Sequence, residues 1–152
     1  MTDYSLMNAA LEGLISGVPH VISNLANASA LLYDSMDRLN WAGFYIIEGD
    51  RLVLGPFQGK PACIEIPLGA GVCGTAAVED RTMLVDNVHE FPGHIACDCA
   101  SNSEIVVPLR VRGSVSGVLD IDSPVLCRFT QRDKTGIELL AATVSRELAP
   151  LL

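Results

Sequence analysis

Residues 104–124 read EIVVPLRVRGSVSGVLDIDSP. Two runs rich in branched apolar residues flank Gly113, which predicts a β-hairpin turning near that glycine. The two strands would therefore run antiparallel. Upstream, LNWAGFYIIEGDRLVLGPF (39–57) reads as a second hairpin, joined at Gly49–Asp50. CIEIPL (63–68) and TMLVDN (82–87) read as short strands, and GAGVCGTAAVED (69–80) as a glycine-rich turn entering a helix. Toward the N-terminus, Leu6, Met7, Ala10, Leu11, Leu14 and Ile15 fall at helical spacing, with Gly17 and Pro19 as stop signals. A second helix is expected from Pro19 to about Asp34, with Val21, Ile22, Leu25, Ser29 and Leu32 along one side. Downstream, Thr130 and Asp133 cap a final helix that buries Ile137, Leu140, Ala141, Val144 and Leu148. Hairpins in the middle and helices at both ends predict an α+β class built on an antiparallel sheet.

The 152 residues suit one domain, expected to span 1–152. A mean hydropathy of +0.36 is that of a chain able to build a core. The formal charge of −8 argues against nucleic-acid and anionic-membrane partners. Apolar runs fall short of a membrane span, and the start MTDYSLMNAA lacks the basic and apolar regions of a signal peptide. The cytoplasm is the expected location. There the five cysteines, Cys63, Cys73, Cys97, Cys99 and Cys127, are not a structural disulfide set. No metal is expected: C-x-x-C is absent, and HEFPGH (89–94) has the wrong spacing and a proline for a metal-binding helix.

Several residue groups suggest chemistry. Asp120 and Asp122 point to one face of their strand; side by side they repel, so one would keep its proton to high pH. The plainer reading is a face that meets solvent, or a turn before Pro124. Trp41, Gly43 and Tyr45 also share a face, either as core or as an apolar wall with a gap at Gly43 for a small ligand. Cys73, near a helix N-terminus, is the thiol that the helix dipole would turn into a thiolate, and a glycine-rich helix start can also cradle an anion. Cys63 and Cys127, taken singly, read as small buried hydrophobes. His20, His89 and His94 read as surface or loop residues. The stretch EFPGHIACDCASNSE (90–104) is harder to place. It surrounds Cys97 and Cys99 with Glu90, Asp98 and Glu104, although thiolates favour positive surroundings.

Six stretches carry a resemblance: NWAGFY (40–45), GPFQGKPAC (55–63), GAGVCGTAA (69–77), FPGHIACD (91–98), SNSEIVVPL (101–109) and GVLDIDSP (117–124). In this order they resemble the free methionine-(R)-sulfoxide reductases, small GAF-domain enzymes. The resemblance implies a GAF fold with a sheet of about six strands and helices at both ends. It implies Cys97 as nucleophile, Cys63 as resolving cysteine and Cys73 as auxiliary thiol. It places Trp41 at the substrate methyl and Tyr45 in the same pocket, with Glu104, Asp120 and Asp122 around the sulfoxide oxygen and the ammonium. It implies reduction of free L-methionine (R)-sulfoxide through a Cys97 sulfenic acid and a Cys63–Cys97 disulfide. Thioredoxin would reset the enzyme, no cofactor is needed, and a homodimer is possible. Here the residues alone rank Cys73 first as nucleophile, whereas the resemblance ranks Cys97 first. Cys99 and Cys127 depart from the family pattern. The alternative function is a GAF module that binds a small ligand or senses oxidation without turnover. One geometric demand follows. A Gly113–Ser114 loop would set Val107 opposite Asp120 and leave Glu104 on the other face. For the three acids to meet, the hairpin needs a three-residue loop, a bulge, or Glu104 outside the ladder.

Overall fold

A computed structural model of the chain describes every residue except Ala96 and Asp98. The expectation that Asp98 adds charge beside the cysteines lies outside the described residues. Two helices open the chain, α1 (Tyr4–Ile15) and α2 (Val21–Ser35). Then follow β1 (Trp41–Glu48), β2 (Arg51–Gly59), β3 (Glu65–Pro67), α3 (Gly71–Glu79), β4 (Met83–Val85), β5 (Ser103–Val111), β6 (Ser114–Ser123) and α4 (Gln131–Leu148), with a 3₁₀ turn at Val88–Glu90. The sheet has six strands in the order β3-β2-β1-β6-β5-β4, and every neighbouring pair is antiparallel. This is the α+β architecture that the hairpins predict.

The strand pattern sends alternate side chains to two different cores. Ala42, Phe44, Ile105, Val107, Leu109, Leu119 and Ile121 face α1, α2 and α4. Trp41, Tyr45, Val106 and Val118 face α3 and the loops beside it. The terminal helices thus cover one face completely, and the site is left to the other. Thr130 caps α4 as expected: its hydroxyl accepts from Asp133 N–H at 3.3 Å, and the Asp133 carboxylate accepts from Thr130 N–H at 2.8 Å. Tyr4 of α1 donates to the same carboxylate at 2.6 Å, which ties the two ends of the chain together.

Some helical expectations are corrected. Helix α2 starts at Val21 rather than Pro19, and its buried face is Asn24, Leu25, Ala28, Ser29 and Leu32. Ile22 is exposed, as are Leu6 and Leu14 of α1, because only part of each apolar stripe meets the sheet.

The hairpin β5–β6 meets the geometric demand through a bulge. Its turn is Arg112–Gly113, with Val111 paired to Ser114 and both turn residues at positive φ, 52° and 79°. That turn alone would set Glu104 opposite Ile121. Between Leu109 and Arg110 the register slips, with Leu109 opposite Gly117 and Arg110 opposite Val115, so Ser116 is the extra residue. Beyond it Glu104 stands opposite Asp122 and Val106 opposite Asp120. Since paired residues share a face, all three acids point the same way as Trp41, which pairs with Asp122 from the other side.

Candidate active site

The three acids, Trp41 and Tyr45 line one cavity beneath the N-terminal half of α3, together with Cys73, His94, Cys97 and Ser101. Each wall has a local cause. Trp41 stacks on Phe57 with ring centroids 5.2 Å apart, and its indole N–H donates to the Lys60 carbonyl at 3.2 Å. The Tyr45 hydroxyl donates to the Cys63 carbonyl at 2.9 Å, so this ring fixes the backbone of the cysteine loop. Burial, then the Asp120 charge, raises the Tyr45 pKa, so the phenol stays a hydrogen-bond donor. Gly43 leaves no gap for a ligand. A Cβ there would lie 2.3 Å from Phe57 Cβ and 2.8 Å from the Trp41 ring, so its missing side chain serves aromatic packing.

Cys63 and Cys97 form a disulfide across 34 positions of sequence, with Cα atoms 5.5 Å apart. Cys97 lies at the cavity; Cys63 is half-buried rather than a core residue. Cys99 and Cys127 are free and exposed, so Cys127 is no buried hydrophobe either.

Cys73 is where local reasoning fails. It does sit in the first turn of α3, but it is buried and its Sγ–H donates to Glu104 Oε1 at 3.9 Å. Burial, then the charges of Asp120, Glu104 and Asp122, pushes its thiol well above the ordinary range. A helix dipole worth about 1 kcal/mol is too small to offset the desolvation of a thiolate beside carboxylates.

The acids behave as side-by-side burial demands. Glu104 is only 6% exposed; burial, then the Asp120 and Asp122 charges, holds its proton well above the usual carboxylate range. Burial also raises Asp120, to about 6, against hydrogen bonds from Glu104 and Cys73 that favour its charge. Glu104 is thus the group that keeps the proton at neutral pH, hydrogen-bonded to an ionised Asp120. Among the described residues, Asp120 Oδ1 is buried with no hydrogen-bond donor. Asp122 is half-buried at the rim of the same group.

His94 is in a loop, as expected, but that loop folds over the site and holds its ring half-buried in the cavity wall. Burial, then the charge of His89, lowers its pKa, which keeps it neutral. The rings of His89 and His94 meet edge-on at 6.4 Å, and His89 Nε2 bonds Asn102 Oδ1 at 2.9 Å. The available signal was its position beside Cys97 in FPGHIACD.

A buried acid group facing a cysteine pair, inside a six-stranded sheet flanked by helices, defines a thiol-redox site on a GAF-type fold. Residues 23–149 match the GAF domain family model. The chain is 52% identical over 146 residues to the free methionine-R-sulfoxide reductase of Escherichia coli K12, covering 96% of this chain and 88% of that protein. The reduced form of fRMsr of Staphylococcus aureus superposes with a TM-score of 0.95 at 50% identity, covering 98% and 97% of the two chains. The free methionine-R-sulfoxide reductase of Neisseria meningitidis, in complex with its substrate, gives a TM-score of 0.94 at 39% identity, covering 97% and 89%. The chain belongs to the free methionine-R-sulfoxide reductase family of GAF-domain proteins.

Proposed function

We propose that the protein reduces free L-methionine (R)-sulfoxide to L-methionine. The observation that carries this reading is the Cys63–Cys97 disulfide at a cavity where a proton-holding Glu104–Asp120 pair faces Trp41. In the reduced enzyme the Cys97 sulfur attacks the sulfoxide sulfur. The oxygen cannot leave as a free oxide. Glu104 supplies a proton to it, and Asp120 relays the Cys97 proton back to the pair. The sulfoxide sulfur gains two electrons and becomes the thioether of methionine. The transient bond between the two sulfurs breaks as methionine leaves, the substrate oxygen ends on Cys97, and Cys97, having lost two electrons, is a sulfenic acid. The Cys63 thiol condenses with it, releasing water and leaving the disulfide. A dithiol, thioredoxin by family resemblance, reduces that bond again. Cys73 is an auxiliary thiol whose hydrogen bond steadies Glu104.

The acids therefore answer for their place beside the cysteines: they activate the substrate rather than the thiol. Asp122 at the rim pairs with the substrate ammonium, which favours a free amino acid over a residue inside a peptide. Trp41 and Tyr45 hold the side chain. A methyl group resting on the Trp41 ring should lose binding when the ring goes. Trp41→Ala is expected to raise the Michaelis constant on the order of tenfold, and Trp41→Phe much less. Equal, wild-type kinetics for both would reduce Trp41 to packing.

The test of the whole reading is incubation with methionine sulfoxide and a dithiol, followed by chromatography for methionine. Consumption of the (R) epimer alone is the expected result. A sensor or binding module would show oxidisable cysteines and no methionine. Among the described residues no helix is long and apolar enough to cross a membrane; the proposed location is the cytoplasm. A homodimer is proposed from the family resemblance, with the exposed Leu6 and Leu14 of α1 as apolar contacts open to a second copy of the chain. Sedimentation at the monomer mass at micromolar concentration would overturn that.

A further inference from the structure

The reductase chemistry leaves one buried nucleophile outside the disulfide. Cys73 Sγ, a Glu104 carboxylate oxygen and an Asp120 carboxylate oxygen lie within 4.8 Å of one another, all on buried residues. Asp120 is 6% exposed, and among the described residues its Oδ1 receives no hydrogen bond. A buried acceptor without a donor is costly and marks a place where something binds. One thiol with two carboxylates is a donor set that suits zinc-like cations and not magnesium, because magnesium avoids sulfur. Tetrahedral zinc spaces sulfur and oxygen ligands about 3.5 Å apart, so the cluster needs to contract by only about 1 Å.

We propose that Cys73, Glu104 and Asp120 form a binding site for a thiophilic divalent cation, with the fourth coordination position open to the cavity. On binding, the Cys73 thiol and the protonated Glu104 carboxyl each release a proton to solvent, and their sulfur and oxygen coordinate the metal beside the Asp120 carboxylate; nothing is oxidised. The cation occupies the carboxylates that activate the sulfoxide, so it switches the reductase off. The inhibition rests on the reductase reading given above; the site itself does not.

The site is tested on disulfide-bonded protein carrying Cys99→Ser and Cys127→Ser, in which Cys73 is the one free thiol. Cadmium titration should produce an ultraviolet sulfur-to-metal charge-transfer band that saturates at one metal per chain. Adding Cys73→Ser should abolish the band, and adding Asp120→Asn should weaken binding at least about tenfold. Unfolding curves without metal check that both variants fold. Absence of the band, or a band indifferent to Asp120→Asn, overturns the proposal. Zinc should also inhibit a single turnover of pre-reduced enzyme freed of dithiol. Cys73→Ser should raise the half-inhibiting concentration about tenfold. Equal inhibition of both proteins would mean that Cys97 holds the metal, and overturns the proposal. Cadmium bound through Cys73 without any inhibition supports the cation site and removes instead the placement of the substrate.

Discussion

Cys97→Ser is expected to form no methionine, even in one turnover. A serine oxygen is too weak a nucleophile at neutral pH: the Asp120 carboxylate that takes the proton of a thiol is far too weak a base for an alcohol. Cys63→Ser should behave differently, because attack precedes resolution. It should release about one methionine per active site and then stall as a sulfenic acid. Mass spectrometry would show that species as one added oxygen, whereas wild type treated with substrate alone should lose two hydrogens. Exposed Cys99 lies two positions from Cys97 and is the thiol able to rescue Cys63→Ser. The double variant Cys63→Ser, Cys99→Ser therefore serves as control. Single-turnover activity in Cys97→Ser would show that the nucleophile is another thiol. Buried Cys73, with its raised pKa, would then have to be reconsidered.

Glu104→Gln should lower kcat by roughly 10²–10⁴-fold with a smaller change in KM, since the amide keeps the shape and loses the transferable proton. In the wild-type enzyme, kcat should fall as pH rises through the elevated Glu104 pKa, and this alkaline limb should be missing in the variant. Near-wild-type turnover by Glu104→Gln would remove it as the acid. Asp120 makes a companion prediction with a definite sign. Its folded-state pKa of about 6 exceeds the ordinary 3.8, so the folded chain binds more protons than the unfolded chain between those values. Stability then declines as pH rises through that window and levels off above about 6. Asp120→Asn removes the desolvated charge. It should abolish most activity yet stabilise the reduced protein by about 3 kcal/mol at pH 7.5, and hardly at all at pH 4. Urea unfolding at the two pH values checks this. A variant less stable than wild type at pH 7.5 would show that the carboxylate is a structural partner and not a strained catalytic one.

Much of the fold was legible because it rests on local periodicities. Apolar runs around Gly113 and Gly49 carry both hairpins, and helical spacing with a Thr130–Asp133 cap carries α4. The same period of two puts Asp120 beside Asp122, and Trp41 beside Tyr45, on single faces before any partner strand is known. What these signals could not set is how one strand registers on another. One extra residue, Ser116, moves Glu104 from the helix-covered face to the cavity, and nothing in the local pattern announces it.

The sequence by itself determined the strands, the terminal helices, the acids on their strand and the family motifs that single out Cys97 and Cys63, because these depend on near neighbours and on a recognisable order of residues. Only the tertiary structure decided by which route Glu104 joins the aspartates, that His94 lies in the cavity wall, that Gly43 serves Phe57 rather than a ligand, and that Cys73 is a protonated thiol and not a thiolate. Each of those outcomes depends on register or on desolvation. Both are set by groups far away in the chain: the bulge across the hairpin, the ring of Phe57, and carboxylates more than thirty positions beyond Cys73 whose charge outweighs the field of its own helix.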